Sequence, residues 1–126
     1  MQAVPILVQS YRDLIAWQKA IDLVTEIYRS TEHFPKPETY GMIAQMRRAA
    51  VNVPSSIAEG HARLTTAEFR HSLGYALGSM ADLETQIVVA QRLNYVDAEQ
   101  SEYLLGRTAE VGKILRGLLK SLAARP

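Results

Sequence analysis

The chain has no cysteine among its 126 residues, which removes disulfides, thiolate metal ligands and cysteine nucleophiles at a stroke. Aromatic residues make up only 7%, with one tryptophan, so a core must be built mainly from aliphatic side chains. Neither sign of charge dominates. Fourteen Lys and Arg stand against 13 Asp and Glu, and a net charge of +1 gives no whole-molecule attraction to nucleic acid. No apolar run approaches the roughly 18 residues of a membrane span. The opening MQAVPILVQ lacks a basic start, a long apolar centre and a small-residue cleavage site, so it does not read as a signal peptide. A cytoplasmic chain with no membrane role is expected. Also missing are strand-like alternation between turn signals, internal repeats, low-complexity tracts and a glycine-rich phosphate loop.

What is present is helical period. The most informative stretch is QMRRAAVNVPSSIAEG, from Gln45 to Gly60, because Pro54 falls inside an otherwise helical pattern. A proline there removes one backbone hydrogen bond and clashes with the preceding turn, at roughly 3 kcal/mol. The 3.6-residue period nevertheless continues through it. Met42, Met46, Ala50, Val53, Ile57 and Leu64 share an apolar face, and Gln45, Arg48, Asn52, Ser55, Ser56, Glu59 and Arg63 line the opposite one. The pattern predicts a helix kinked at Pro54, with one buried face and one polar stripe. Glu59 and Arg63 stand at the spacing of an ion pair.

The other helices follow from spacing and caps. Leu14, Trp17, Ile21, Val24 and Tyr28 predict an apolar stripe on a first helix opened by Ser10 and Asp13. The phrase His33-Phe34-Pro35-Lys36-Pro37 stops it, and Pro37 suits the first turn of the next helix. Thr65-Thr66-Ala67-Glu68 offers a capping box for a third helix carrying Phe69, Leu73, Ala76, Met80, Leu83, Ile87 and Ala90. Asp97 with Gln100 opens a fourth carrying Leu104, Thr108, Val111, Leu115, Leu118 and Leu122. The predicted helices cover about 11–31, 37–63, 66–94 and 97–122, in one domain of residues 10–123 after an extension of residues 1–9. Sustained 3.5-residue spacing and short links predict an all-α, antiparallel up-down-up-down four-helix bundle.

Two features exceed what a minimal bundle needs. Gly74, Gly78, Ala81 and Thr85 form a second stripe on the third helix. Glycine costs about 1 kcal/mol in a helix interior, so a pair at i and i+4 implies close approach of another backbone. That backbone belongs either to the same bundle or to another subunit. Tyr40, Tyr75, Tyr95 and Tyr103 also fall off the main seams, where tyrosine serves contact surfaces.

Chemistry is harder to find. A di-iron or di-manganese bundle needs paired Glu-x-x-His motifs, whereas only Glu68 and His71 match, so no metal or other cofactor is expected. Ser55, Ser56, Glu59 and His61 lie close in sequence, but His61 falls off the serine face and nothing supplies an oxyanion hole. Gly60 reads instead as a helix end or a close-packing position. No catalytic residue is assigned. The polar stripe is either a solvated face or a contact surface, with Asn52, Ser55, Ser56, Glu59, Gly74 and Gly78 as interface candidates. Cations gather toward the end as Lys113, Arg116, Lys120 and Arg125 with no acid among them, the arrangement a helix dipole favours. Arg47, Arg48, Arg63, Lys113, Arg116 and Lys120 are the candidates for contact with phosphates.

The chain resembles the four-helix-bundle family of 23S rRNA-intervening-sequence proteins. The resemblance rests on DLIAWQKAIDLV with IYRSTEHFPKPE, YGMIAQMRRAAVNVPSSIAEGHAR, and EFRHSLGYALGSMADLETQIVVAQRLNYV, together about Asp13 to Val96. Its most specific positions are Gln45, Arg48, Ala49, Pro54, Ile57, Ala58, Glu59 and Gly60, then Ala76, Gly78, Ser79 and Glu84. The family pattern has serine where Asn52 stands and asparagine where Ser56 stands, and both replacements stay small and hydrogen-bonding. The resemblance implies a closed bundle that associates through its long faces, as a ring-shaped homopentamer, and it brings no settled molecular activity. A bundle of similar fold, the accessory protein of diversity-generating retroelements, is a basic pentamer that binds nucleic acid; fold alone does not transfer that role.

The expectation is therefore a non-enzymatic, homo-oligomeric bundle acting as scaffold or adaptor, with RNA or DNA as a candidate partner. The alternative is a protein–protein interaction module without a nucleic-acid role.

Overall fold

Local signals start and stop four helices in the computed structural model, which describes residues 10–123. They are α1 (Ile15–Thr31), α2 (Met42–His61), α3 (Thr66–Arg92) and α4 (Ala98–Ala123), with 3-10 turns at Tyr11–Asp13 and Lys36–Glu38 and no strand among the described residues. The expected extension, residues 1–9, lies outside them, as does Arg125. Thr65 accepts the Glu68 N–H at 3.1 Å to open α3, and Asp97 accepts the Gln100 N–H at 2.7 Å to open α4.

The first two helices start later than expected. Ser10 and Asp13 do form a capping box, but around the 3-10 turn, because Leu14 is extended (φ −74°, ψ 127°) and separates that turn from α1. Pro37 likewise belongs to a 3-10 turn. Gly41 (φ −104°, ψ −110°) breaks the path before α2, and Glu38 Oε1 then accepts the Met42 N–H at 3.1 Å. After α3, Asn94 takes φ 63°, the left-handed conformation that ends the helix. Pro54 is buried inside α2, which continues past it to His61.

Burial tracks the predicted stripes on α3 and α4: Leu73, Ala76, Met80, Leu83, Ile87, Ala90, Leu104, Thr108, Val111, Leu115 and Leu122 are buried, with Phe69 and Leu118 packed at the edge. On α1 the stripe is rotated. Ala16, Ala20, Leu23, Ile27 and Thr31 face the core, while Ile21 and Tyr28 are largely exposed and Trp17 and Val24 flank it. Small alanines let α1 sit close to its neighbours, so the larger side chains were misleading guides. Leu64 is a second correction. It lies beyond the end of α2 and is 97% exposed instead of sharing the apolar face.

The helices touch in a closed cycle, α1 to α2, α2 to α3, α3 to α4 and α4 back to α1. Named contacts fix several directions. Ser30 meets Gln100, Asp22 meets Arg107 and Lys19 meets Glu110, so α1 and α4 run antiparallel. Gly60 lies against Phe69 and Ser72, while Arg48 and Asn52 share a hollow with Asp82 and Gln86, so α2 and α3 do too. Arg47, near the start of α2, holds Thr31 at the end of α1, and the turn Tyr11–Asp13 packs on α2 some 26 Å of helix away. One end of the bundle thus gathers the start of α1, the end of α2, the start of α3 and the end of α4.

At the opposite end the links are tied together. Tyr95 donates its hydroxyl to Glu38 Oε2 at 2.8 Å, and its ring packs against Phe34. The hydrogen bond to Glu38, then lost hydration, then the carboxylate's charge hold the Tyr95 hydroxyl above its ordinary 10.0. Tyr95 is therefore a structural tie, unlike Tyr40, Tyr75 and Tyr103, which are exposed.

A close approach of α2 to α3 occurs at Gly60, where a Cβ would lie 2.5 Å from Ser72 Cβ and 3.0 Å from the Phe69 ring. That close packing is the role of this glycine, whose φ is not positive. Gly60→Ala is expected to destabilise the protein by about 1–3 kcal/mol through overpacking, despite alanine's better helix propensity. Urea unfolding checks this; unchanged or increased stability would contradict the contact.

Candidate interaction surfaces

The outer face of α2 and α3 follows from their pairing. With Met46, Ala50, Val53 and Ile57 turned inward, the polar stripe of α2 faces out: Arg48, Asn52, Ser55 and Glu59 are exposed and Ser56 is half-buried, while Arg63, also exposed, lies just past the helix end instead of on it. Arg63 Nη2 lies 3.5 Å from Glu59 Oε1, the expected pair one turn apart. Beside this stripe α3 presents a shallow hollow of about 490 Å³, lined by His71, Gly74, Tyr75, Gly78, Ser79 and Asp82. His71 sets its ring edge-on to Tyr75 at 5.0 Å.

Gly74 and Gly78 are exposed, and a Cβ added to either would meet nothing within 4 Å. Packing inside the bundle therefore does not require them, which removes one of their two expected explanations. At about 1 kcal/mol each they remain a cost with no compensating contact among the described residues.

The basic candidates separate into three settings. Arg47 is committed to the fold: its Nε donates to Thr31 Oγ1 at 2.9 Å, its Nη2 to the Tyr28 carbonyl at 3.2 Å, and its guanidinium lies 4.4 Å from the Tyr28 ring centre. It thereby satisfies carbonyl and hydroxyl groups at the end of α1. Arg48 is exposed at a polar hollow between α2 and α3. Arg63, Lys113, Arg116 and Lys120 lie toward the end where α2 and α4 finish.

On α4 the three cations follow i, i+3 and i+7 spacing, are exposed, and form no ion pair with another described residue. The Arg116 guanidinium lies back along the helix over Gly112. Earlier on the same helix the charges are spent internally, Lys19 on Glu110 at 3.3 Å and Arg107 between Asp22 and Glu110. The start of α4 carries Asp97, Glu99 and Glu102 instead, so its two ends are opposite in sign.

No group of three metal-ligating side chains occurs among the described residues. His61 packs edge-on to Phe69 at 5.8 Å, away from any nucleophile–base pair. Sequence reasoning missed two features that have weak one-dimensional signals. Thr108, fully buried, donates to Glu84 Oε2 at 2.8 Å and joins α4 to α3 across 24 residues of chain. Asp82 and Gln86 complete the hollow beside Arg48, a pairing that needs the α2–α3 register.

A cyclic four-helix bundle with a proline inside its second helix and a polar face on that helix defines the structural class. Residues 12–117 match the 23S rRNA-intervening sequence protein family, and the chain belongs to it. A solved structure described as a protein with unknown function from the S23 ribosomal protein family of Bacteroides thetaiotaomicron is similar in fold, with TM-score 0.76 and 21% identity over 84% of this chain and 99% of that one. No curated protein matches significantly. No helix among the described residues is long and apolar enough to cross a membrane.

Replacing Arg47 by Met should lower stability by about 1–3 kcal/mol, because the Thr31 and Tyr28 acceptors lose a charged donor. Lysine should not restore it, since an ammonium cannot reach both acceptors in the guanidinium's planar geometry. Thermal unfolding of the two variants tests this; a stable Arg47→Lys protein would show that charge alone suffices.

Proposed function

We propose that this protein is a non-enzymatic, homo-oligomeric scaffold whose basic end binds RNA. We take the helices to alternate up-down-up-down and α2 to bend at Pro54. The subunits associate through the outer α2–α3 face as a ring, a homopentamer as the family resemblance implies, in the cytoplasm.

The observation that carries the RNA role is the segregation of cations that form no ion pair with a described residue. Lys113, Arg116 and Lys120 are exposed along the C-terminal half of α4, with Arg63, paired to Glu59, toward that same end, while acids mark the start of α4. A net charge of +1 per chain is too small to act as a whole. Copies arranged side by side in one direction would superpose their basic ends and leave the acidic ends apart, concentrating positive potential on one rim. DNA would meet the same cations, so a phosphate backbone is the common ligand feature. Arg47 spends its donors on α1, and Arg48 stands apart from the rim.

A second reading, a protein–protein module with no nucleic-acid role, draws on Gly74 and Gly78, whose open surface suits close approach of another backbone. Fluorescence titration of labelled RNA against salt separates the two. The first expects binding at about 50 mM salt that weakens steeply as salt rises, with a log–log slope shallower by about 2 in Lys113→Ala/Arg116→Ala/Lys120→Ala. No binding at low salt, or an unchanged slope in the triple variant, would refute the basic-rim role.

A further inference from the structure

A ring makes two demands on each chain that the outer α2–α3 face cannot meet alone. Successive copies in a ring meet head to tail, so one patch must fit a different patch on the next copy. A rotation about the ring axis also moves nothing along that axis. With the axis parallel to the helices, the two patches must therefore lie at the same height. A ring of five sets its two contact faces about 108° apart. That is nearer to the about 90° between adjoining faces of a four-helix bundle than to the about 180° between opposite ones. The second patch thus adjoins the first, on the α1–α2 or the α3–α4 side.

The α1–α2 side fits. Tyr28 is turned toward α2, since its ring centre lies 4.4 Å from the Arg47 guanidinium. Ile21 stands two turns earlier on the same side of α1, and Val51 one turn beyond Arg47 on α2. All three are exposed, and the half-buried Trp17 and Val24 extend the apolar strip toward the core. Ion pairs occupy the α1–α4 side instead. The α3–α4 side carries Val88, one turn from Glu84, and shares α4, whose cations the RNA role needs uncovered. Height agrees as well. Tyr28 is level with Arg47, and the adjacent Arg48 shares a hollow with Asp82. Two turns toward the basic end, about 10 Å, stand Ile21 on α1 and Tyr75 on α3. The strip from Ile21 to Tyr28 covers the same height as the hollow from Tyr75 to Asp82 that contains Gly74 and Gly78.

We infer that the strip of Ile21, Tyr28 and Val51 packs against the α3 hollow of the next copy. The inference rests on the ring association proposed above and names the surface that completes it. The hollow of about 490 Å³ receives the two α1 side chains, and the bare Gly74 and Gly78 let α1 come close. Charge is complementary too. Arg47 keeps Nη1 unspent beside Tyr28, at the level of Asp82, whose carboxylate forms no ion pair with a described residue.

Complementation of blocked variants tests the contact. Ile21→Glu/Val51→Glu spoils the strip and Gly78→Glu fills the hollow, so each should be a single chain of unchanged helicity. Mixed in equal amounts, they should form one dimer of twice 14.0 kDa in sedimentation, because each retains the face the other lacks. Since the chain has no cysteine, Ile21→Cys and Gly78→Cys proteins add a direct readout. A short bismaleimide should join them to each other in mixed assemblies, and neither to itself. A wild-type assembly that survives Ile21→Glu/Val51→Glu overturns the strip while leaving association through α2–α3 intact. So does Gly78→Cys joined to itself, or to Val88→Cys in place of Ile21→Cys. Absence of both the mixed dimer and the Ile21–Gly78 link overturns it as well. An assembly that survives Gly78→Glu overturns the α2–α3 face together with the strip's seat on it. A wild-type protein that stays a single chain overturns the ring itself.

Discussion

At Gly60 the backbone of α2 comes so near α3 that even a methyl group would collide with Ser72 and the Phe69 ring. That approach sets the register between the two helices, and the composition of the outer face follows from it. With Gly60 against Ser72 and Phe69, Arg48 and Asn52 fall opposite Asp82 and Gln86 further into each helix. The same alignment turns the hydroxyl and amide stripe of α2 outward beside Gly74 and Gly78. A bulkier residue at Gly60 would push the two helices apart there, and interiors at crystal-like density transmit such shifts along the rod.

The rest of the bundle divides its polar groups by purpose. Arg47 binds the end of α1, Tyr95 joins two links through Glu38, and Thr108 ties α4 to Glu84. Lys19, Asp22, Arg107 and Glu110 pair along the α1–α4 side, where exposed ion pairs contribute little each. Lys113, Arg116 and Lys120 on α4 and Arg48 on α2 make no hydrogen bond or ion pair of that kind with a described residue. Groups that stabilise the fold and groups free to meet a partner are therefore distinguishable by their contacts, although both kinds are arginines and lysines.

Helical period and capping chemistry made the four helices legible in the sequence, and α3 most of all, because its stripe is unbroken and Thr65–Glu68 marks its start. The α1 stripe was misread by one position because Ala16 and Ala20 face the core while the larger Ile21 and Tyr28 do not; volume is no guide where close helix approach selects small residues. Leu64 was misplaced because periodicity cannot show that the chain leaves the helix after His61. The exposed stripe around Asn52, Ser55 and Glu59 was readable from spacing within one helix, and the Glu59–Arg63 pair forms although Arg63 lies just past its end. Arg47's commitment to α1 and the Arg48–Asp82 hollow were not, since both depend on which residues of different helices come to one level.

Exposed glycines where an added Cβ would meet nothing among the described residues, next to a long stripe of small polar groups, make association of copies the central claim. Sedimentation equilibrium over a wide concentration range measures it directly. The account predicts a discrete assembly whose mass is a whole multiple of 14.0 kDa, five subunits for the ring, which Gly74→Glu or Gly78→Glu dissociates into folded single chains. A wild-type protein that stays at 14.0 kDa throughout would contradict it.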